Sequence, residues 1–504
     1  MASSSVRNSK GGRMPRSITL CDGPRVRTGP HRRSQVAVLG AGVAGLVAAY
    51  ELNGRGYDVD VYEASPRVGG RIHTHRFGPE PAAPYVELGA MRIPTKHRHA
   101  MRYVRELGLI DRVRPFRTLL SEASNYLISE SGPVRLSEAM PALVGSLQRR
   151  LPRSGYREAS LRFAAFLTLA VEAIAPVYMR GQLLGNPMQI GRLVDRLDGM
   201  DLGPYLPEPD RSARLAEFFV DNPGFRSLLP LGLDGFIDDI VTETNADLVS
   251  LEGGMDALPR RLADALTAAV WVDHKVVGIR ARKQDVVIEV VHAKRTIVRR
   301  YDYVLCTIPF SALRHIRLCD FDPDKLAIVR KIEYCPATKV AFYCREPFWR
   351  NDGISGGASF TGGGIRQTYY PDSGSVLLAS YTIGEEADRL GRMKPADRHE
   401  YVRQQLAKVH PQILEPGMVR AAASQAWGHD EWSRGGCTVR WGKDDGQIAD
   451  ELELAAAPQN HLFFAGEHCS KNPAWIDGAI ESALEAVDGI DADLTGSYPV
   501  RRSA

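Results

Sequence analysis

Gly40, Gly42 and Gly45 stand at the spacing of a turn that carries phosphate, and Glu63 follows at the distance of a ribose-binding acid. Gly40 permits a tight turn. Gly42 lets backbone amides approach a pyrophosphate without a Cβ in the way, and Gly45, beside Ala44, lets a helix pack closely on a strand. The N-terminus of that helix faces the phosphates with its partial positive charge. Glu63 can accept hydrogen bonds from both hydroxyls of an adenosine ribose, which disfavours a 2′-phosphate there. The chemistry these residues offer is dinucleotide binding.

Such residues need particular elements to position them. The apolar run Val36-Ala37-Val38-Leu39 predicts a buried parallel strand, Leu46 to Leu52 a helix that Gly56 stops, and Val59-Asp60-Val61-Tyr62 a second strand ending at Glu63. Downstream, Gly69-Gly70-Arg71 is a second glycine turn, whose arginine can set a guanidinium beside phosphate or flavin oxygens. Far along the chain, Leu462-Phe463-Phe464 reads as a strand leading to Gly466 and Glu467. From Trp475 and Ile476 a helix of small residues begins, and its N-terminus can come close to a flat ring. The glycines at 353–364 have neither a preceding strand nor a following helix, so they read as a hairpin or flexible loop. With one dinucleotide unit present, no NAD(P)H site is visible.

Composition limits the rest. The chain has 504 residues, 44% hydrophobic and 25% charged, which excludes disorder, collagen and a stapled miniprotein. Its net charge is +4, and much of the excess lies in a basic segment at 1–33, read as a flexible tail and not as a signal peptide. Nothing calls for nucleic acid or an acidic membrane. The most apolar later run, 163–177, is too short to span a bilayer. Seven scattered cysteines with no CxxC pair argue against a disulfide framework or a metal site, and for a reducing, cytoplasmic setting.

Together these motifs resemble the flavin-containing amine oxidase superfamily, and within it most closely the bacterial FAD-dependent L-amino-acid oxidases. The resemblance runs from about Gln35 to about Asp488. It is carried by the dinucleotide unit, Gly69-Gly70-Arg71, Glu87-Leu88-Gly89-Ala90-Met91-Arg92, Glu252-Gly253-Gly254-Met255, Thr338-Lys339-Val340, Phe464-Ala465-Gly466-Glu467 and Trp475-Ile476. It implies an α/β chain with a discontinuous Rossmann-like FAD domain at 34–96, 250–320 and 446–490. A mainly helical insert at 97–249, a mixed-sheet substrate domain at 321–445 and a C-terminal tail at 491–504 complete the arrangement. It also implies that Gly89, Ala90, Met91, Arg92, Val276, Trp475 and Ile476 line the cofactor, and that the protein is a homodimer.

The same resemblance assigns roles. Lys339 reaches toward flavin N5 through a water; its alternative is an edge strand with the ammonium in solvent. Arg92 pairs with the substrate α-carboxylate and Tyr381 shares it, unless Arg92 pairs with a structural acid such as Glu87. Ala474 offers its carbonyl to the substrate amine, at a turn where some relatives carry glycine, and Trp475 walls the α-carbon. The helix at Trp475 and the Arg92 run point to an aromatic or indolic substrate. Cys437 resembles the cysteine through which monoamine oxidases attach flavin, although the residues after it match poorly. Some relatives use a histidine of the insert as a base, but this chain has none between His99 and His274. The substrate amine must then bind neutral, or lose its proton to water or another group, so activity is expected to rise with pH.

The implied reaction is oxidation of an L-α-amino acid to an imino acid, which hydrolyses to a 2-oxo acid and ammonia while dioxygen becomes hydrogen peroxide. A primary-amine or polyamine oxidase, an amino-acid 2-monooxygenase giving an amide, and a noncatalytic flavoprotein scaffold are the alternatives.

Overall fold

A strand buried on both faces must be apolar throughout, and Val36, Ala37, Val38 and Leu39 are all fully buried. They form the centre of a five-stranded parallel sheet in the order Ala269–Trp271, Asp58–Tyr62, Gln35–Leu39, Tyr303–Cys306 and Leu462–Phe464. Its strands come from widely separated parts of the chain. The helix Val43–Gly54 makes the first crossover. That helix, Arg98–Glu106 and the C-terminal Ile476–Leu494 share one core on a face of the sheet. The other face packs against a four-stranded sheet in the order Arg295–Tyr301, Val286–His292, Lys275–Ala281 and Arg317–Cys319.

The computed structural model describes residues 34–80, 83–129, 132–206, 213–230, 232–244, 247–362 and 364–496. The basic tail expected at 1–33 lies outside these residues, as does the end of the C-terminal tail. Of that tail the first part is helical, since Ile476–Leu494 continues past residue 490.

The second large sheet has seven strands, in the order Val419–Ala426, Ala337–Cys344, Val376–Ile383, Arg366–Tyr369, Ala358–Gly362, Tyr126–Ser129 and Gly132–Arg135. It is antiparallel except where Ala358–Gly362 meets Tyr126–Ser129. The glycine-rich 353–364 stretch therefore holds one strand of a hairpin. The helices Leu136–Arg150, Glu158–Ile174, Val177–Leu184, Pro187–Asp198, Leu215–Asp221 and Leu233–Glu243 share a core with this sheet. Three parts of the stretch read as a helical insert go elsewhere, and of these Val113–Pro115 pairs with Leu248–Leu251 in a small sheet that also holds Ile93–Pro94. Arg98–Glu106 packs on the dinucleotide sheet because Ala100, Met101, Tyr103 and Val104 form its apolar stripe. The hairpin Tyr126–Arg135 pairs onto the edge of the seven-stranded sheet. No described helix is long and apolar enough to cross a membrane.

Candidate active site

The glycine turn does the steric work its spacing predicts. Gly40 has φ +104°, and a Cβ there would lie 2.8 Å from Thr307 Oγ1; a Cβ on Gly45 would lie 1.9 Å from the Gly40 carbonyl. In front of Gly42 there is nothing within 4 Å. The helix that starts there has no side-chain cap and no acid in its first turn, so its leading N–H groups remain for an anion. Glu63 is aimed at the same space: its oxygens accept from the Ala41 and Ser65 amides, each at 2.8 Å.

That space is one end of a cavity of about 590 Å³, lined in turn by Gly40, Gly42, Ala44, Glu63, Gly70, Arg71 and Val276, and further on by Ala90, Met91, Arg92, Lys339, Tyr381, Ala474, Trp475 and Ile476. An open cradle at a glycine turn, an acid at ribose distance and a channel leading to a buried lysine fit an extended dinucleotide bearing a flat ring. Gly45, packed against Gly40, supports the turn from behind.

Two residues assigned to the cofactor bind each other instead of meeting it alone. Arg71 Nη1 donates to Glu467 Oε1 at 2.8 Å and to the Gly436 carbonyl at 3.0 Å. Glu467 also accepts from the Thr438 amide and hydroxyl and from the Ala474 amide. Burial opposes its charge, yet Arg71 and these donors hold the carboxyl at about 2. Glu467 thus ties the glycine turn to the Ala474–Trp475 turn. No spacing in the sequence reveals this pairing.

Lys339 stands in an inner strand, directly opposite Tyr381 on one side and Gln425 on the other. The edge-strand alternative is thereby overturned. Opposite residues share a face of the sheet, and Nζ lies 4.7 Å from the centre of the Tyr381 ring. It donates to the Gly89 carbonyl at 2.6 Å and the Glu87 carbonyl at 3.3 Å. Gly89 has no room for a Cβ, which would lie 2.1 Å from the Arg71 carbonyl. Burial, reinforced by Arg92 and opposed by Glu87, brings the Lys339 ammonium down to about 7.

Arg92 is buried in the cavity wall, and its guanidinium pairs with Glu243. The proposed alternative partner, Glu87, is taken by Thr74 and the Met255 amide. Arg92 Nε has no hydrogen-bond partner. Ala474 is exposed to the cavity and holds φ +67°, in the left-handed region, where relatives carrying glycine would be unstrained. Cys437 faces Cys335 across a two-stranded ladder. Burial pushes its thiol well above the usual range, which keeps it protonated and a poor nucleophile.

Sequence reasoning missed one wall. The helix Leu233–Glu243 contributes Phe236, Asp239 and Glu243 to the cavity, and Phe236 meets Trp441 edge-to-face with centroids 4.9 Å apart. The spacing of three and four residues was the available signal. Nothing local showed which way that stripe faces.

The profile of the family described as flavin containing amine oxidoreductase matches residues 43–491. The flavin-dependent L-tryptophan oxidase RebO of Lentzea aerocolonigenes is 47% identical over 465 residues, covering 91% of this chain and 98% of that protein. An L-amino-acid oxidase of Pseudechis australis is 29% identical, covering 93% and 88%. A solved structure of putrescine oxidase superposes with a TM-score of 0.62 at 20% identity over 92% of this chain and 99% of its own, a likeness of fold. The chain belongs to the flavin containing amine oxidoreductase family.

Proposed function

We propose that the protein is an FAD-dependent oxidase of an L-α-amino acid with an aromatic, indolic side chain. The products are an imino acid, then a 2-oxo acid and ammonia, with dioxygen reduced to hydrogen peroxide. The observation that carries this reading is one cavity in which Arg92 and Lys339 lie beyond a dinucleotide cradle, walled by Phe236, Tyr381, Trp441 and Trp475. The 47% identity to an L-tryptophan oxidase supports the side-chain class.

Bound FAD supplies the two-electron acceptor for the substrate Cα–H and the donor for dioxygen. The chain's own residues orient and exclude water. Gly40, Gly42 and Glu63 would hold the adenosine and phosphate half, with Gly45 supporting the turn from behind. Arg92, with the Tyr381 phenol, takes the substrate carboxylate in a charge-assisted pair. The aromatic walls bury the side chain, and Trp475 fixes the α-carbon. Lys339, near neutrality of charge at about 7, holds or gives a proton beside the Gly89 carbonyl. Flavin is held without a covalent bond, as the protonated Cys437 thiol supports. A homodimer in a reducing cytoplasm completes the proposal.

The Arg92–Glu243 pair favours one rival, an amine oxidase, since a cation already neutralised has less need of a substrate carboxylate. The test is anaerobic bleaching of flavin absorbance by each L-amino acid, with product analysis after air is readmitted. Bleaching by an aromatic amino acid, followed by oxo acid and peroxide, is the expected outcome. Bleaching by amines alone removes Arg92 from its role; an amide product makes the protein a monooxygenase; no bleaching leaves a scaffold.

A further inference from the structure

Oxidation of an amino acid needs a free nitrogen lone pair, and at neutral pH the substrate arrives as an ammonium. The helical stretch has no histidine between His99 and His274. Of the histidines that line the cavity, His274 and His315 stand with the cradle residues Glu63 and Arg434. Burial, reinforced by Arg67 and His75, lowers His73 to about 4, too weak a base for this proton. His97 sits against Trp475, ring centres 5.2 Å apart, and is not among the residues lining the cavity. Of the two carboxyls that the helix Leu233–Glu243 presents to the cavity, Glu243 is committed to Arg92. Asp239 is not. Its hydrogen bond is a long one, 3.4 Å from Trp475 Nε1, and its surface opens onto the cavity.

We propose that Asp239 is the base that takes the ammonium proton of the bound amino acid. The inference rests on the proposed substrate class. One N–H bond of the ammonium breaks and its electron pair stays on nitrogen; the proton forms an O–H bond with an Oδ of Asp239, and water in the cavity later removes it. No oxidant enters this step. The location fits it: Trp475, the residue assigned to the α-carbon, contacts Asp239, and Ala474, assigned to the amine, is its neighbour in the chain. Besides burial, the Asp239 charge is among the influences that raise the Tyr381 phenol and the Cys437 thiol, so the carboxylate lies within electrostatic reach of both.

The groups facing Asp239 explain its state. Burial, with help from Asp238, pushes the carboxyl up to about 6, while the Trp475 bond and the Arg92 charge oppose this. Glu243 adds little, because Arg92 neutralises it. A base of that strength is ionised at neutral pH and still able to hold a proton. Lys339 and Arg92 in the same cavity disfavour a bound ammonium, which eases its loss.

The experiment measures the rate of anaerobic flavin reduction and kcat/KM against pH, with L-tryptophan as probe, for the wild-type holoenzyme, Asp239→Asn, Trp475→Phe and Lys339→Met. The wild type is expected to show an acid limb near pH 6 and a plateau above it. Asp239→Asn is expected to lose about 10²- to 10³-fold at neutral pH. Its rate then climbs tenfold per pH unit toward the pKa of the substrate amine, closing the gap in alkali. Lys339→Met must leave the lower limb in place. If Asp239 only positions Trp475, Asp239→Asn and Trp475→Phe fall equally at every pH, and the proposal is overturned. Should Asp239→Asn retain no flavin, Asp239→Glu replaces it: a displaced acid limb supports the base, and an unmoved limb overturns it. A wild type that no L-amino acid bleaches fails the substrate reading instead, which separates the two failures.

Discussion

The guanidinium of Arg92 is ion-paired with the carboxylate of Glu243, the last residue of the helix Leu233–Glu243, inside the site assigned to a substrate carboxylate. An internal carboxylate in that position competes with the substrate for the same cation. On the proposed reading, the substrate carboxylate binds by displacing or sharing it. Glu243→Gln keeps a hydrogen-bond acceptor and removes the competing charge. We expect it to lower KM for the L-amino acid roughly tenfold, equivalent to about 1.4 kcal/mol, with kcat little changed. Steady-state kinetics check this. An unchanged or higher KM means that Glu243 aids carboxylate binding.

Lys339 makes its two hydrogen bonds to the carbonyls of Glu87 and Gly89, the segment that leads into Arg92. In the role proposed for it, Lys339 affects both halves of the reaction, but a cation beside the site of oxygen reduction matters most where negative charge develops. Lys339→Met should slow reoxidation of the reduced flavin by roughly 10²-fold and reduction by less than about tenfold. Stopped-flow traces of the two half-reactions separate these rates. Equal losses in both would point to a collapsed site, since the two carbonyls lose their buried donor.

How much of this was legible follows from how far each argument has to reach. Gly40, Gly42 and Gly45 act within a single turn, and their steric roles can be derived from spacing alone. Lys339 was legible as an anomaly, a cation inside an apolar strand. The partners of Arg71 and Arg92 were not. Glu467 and Glu243 lie in distant segments, and any of the chain's acids satisfies the same local rule until packing chooses one. Asp239 was hidden for a related reason: on an amphipathic helix an acid beside Phe236 reads as the solvated face, and only the cavity behind it reverses that reading.

Ala474 holds φ +67° at the turn whose amide binds Glu467. A left-handed alanine costs about 1 kcal/mol, part of which glycine returns as chain entropy in the unfolded state. Ala474→Gly should leave stability equal or raise it by about 0.5 kcal/mol, and widen the cavity by a methyl group. Ala474→Val should lower it by more than about 1 kcal/mol and weaken flavin retention. Thermal unfolding followed by flavin fluorescence distinguishes the pair. A valine variant as stable as wild type would mean that the turn relaxes out of the left-handed region.

His468 lies fully buried against Phe310, with ring centres 4.4 Å apart, and neither of its ring nitrogens has a partner. Burial, reinforced by Arg71, Arg440 and Lys325 and opposed by Glu467, lowers its pKa from 6.5 to about 3. The folded state thus refuses a proton that the unfolded chain accepts. Stability from this group is full above pH 6.5 and declines as pH falls toward 3, at about 1.4 kcal/mol per unit. Between pH 7 and pH 5 the loss is about 2 kcal/mol. His468→Leu removes the titration and two orphaned polar atoms at once, so it should be near neutral at pH 7 and stabilising relative to wild type at pH 5. Denaturant unfolding at the two pH values measures the difference. Other buried groups, His410 and His73 with the same sign and Glu87 with the opposite one, titrate alike in both proteins and cancel. A wild-type and variant difference that does not change with pH would show that His468 takes up its proton in the fold as readily as in the unfolded chain, and a difference that grows in favour of the wild type as pH falls would show that it is protonated within the fold, with Glu467 as its counter-ion.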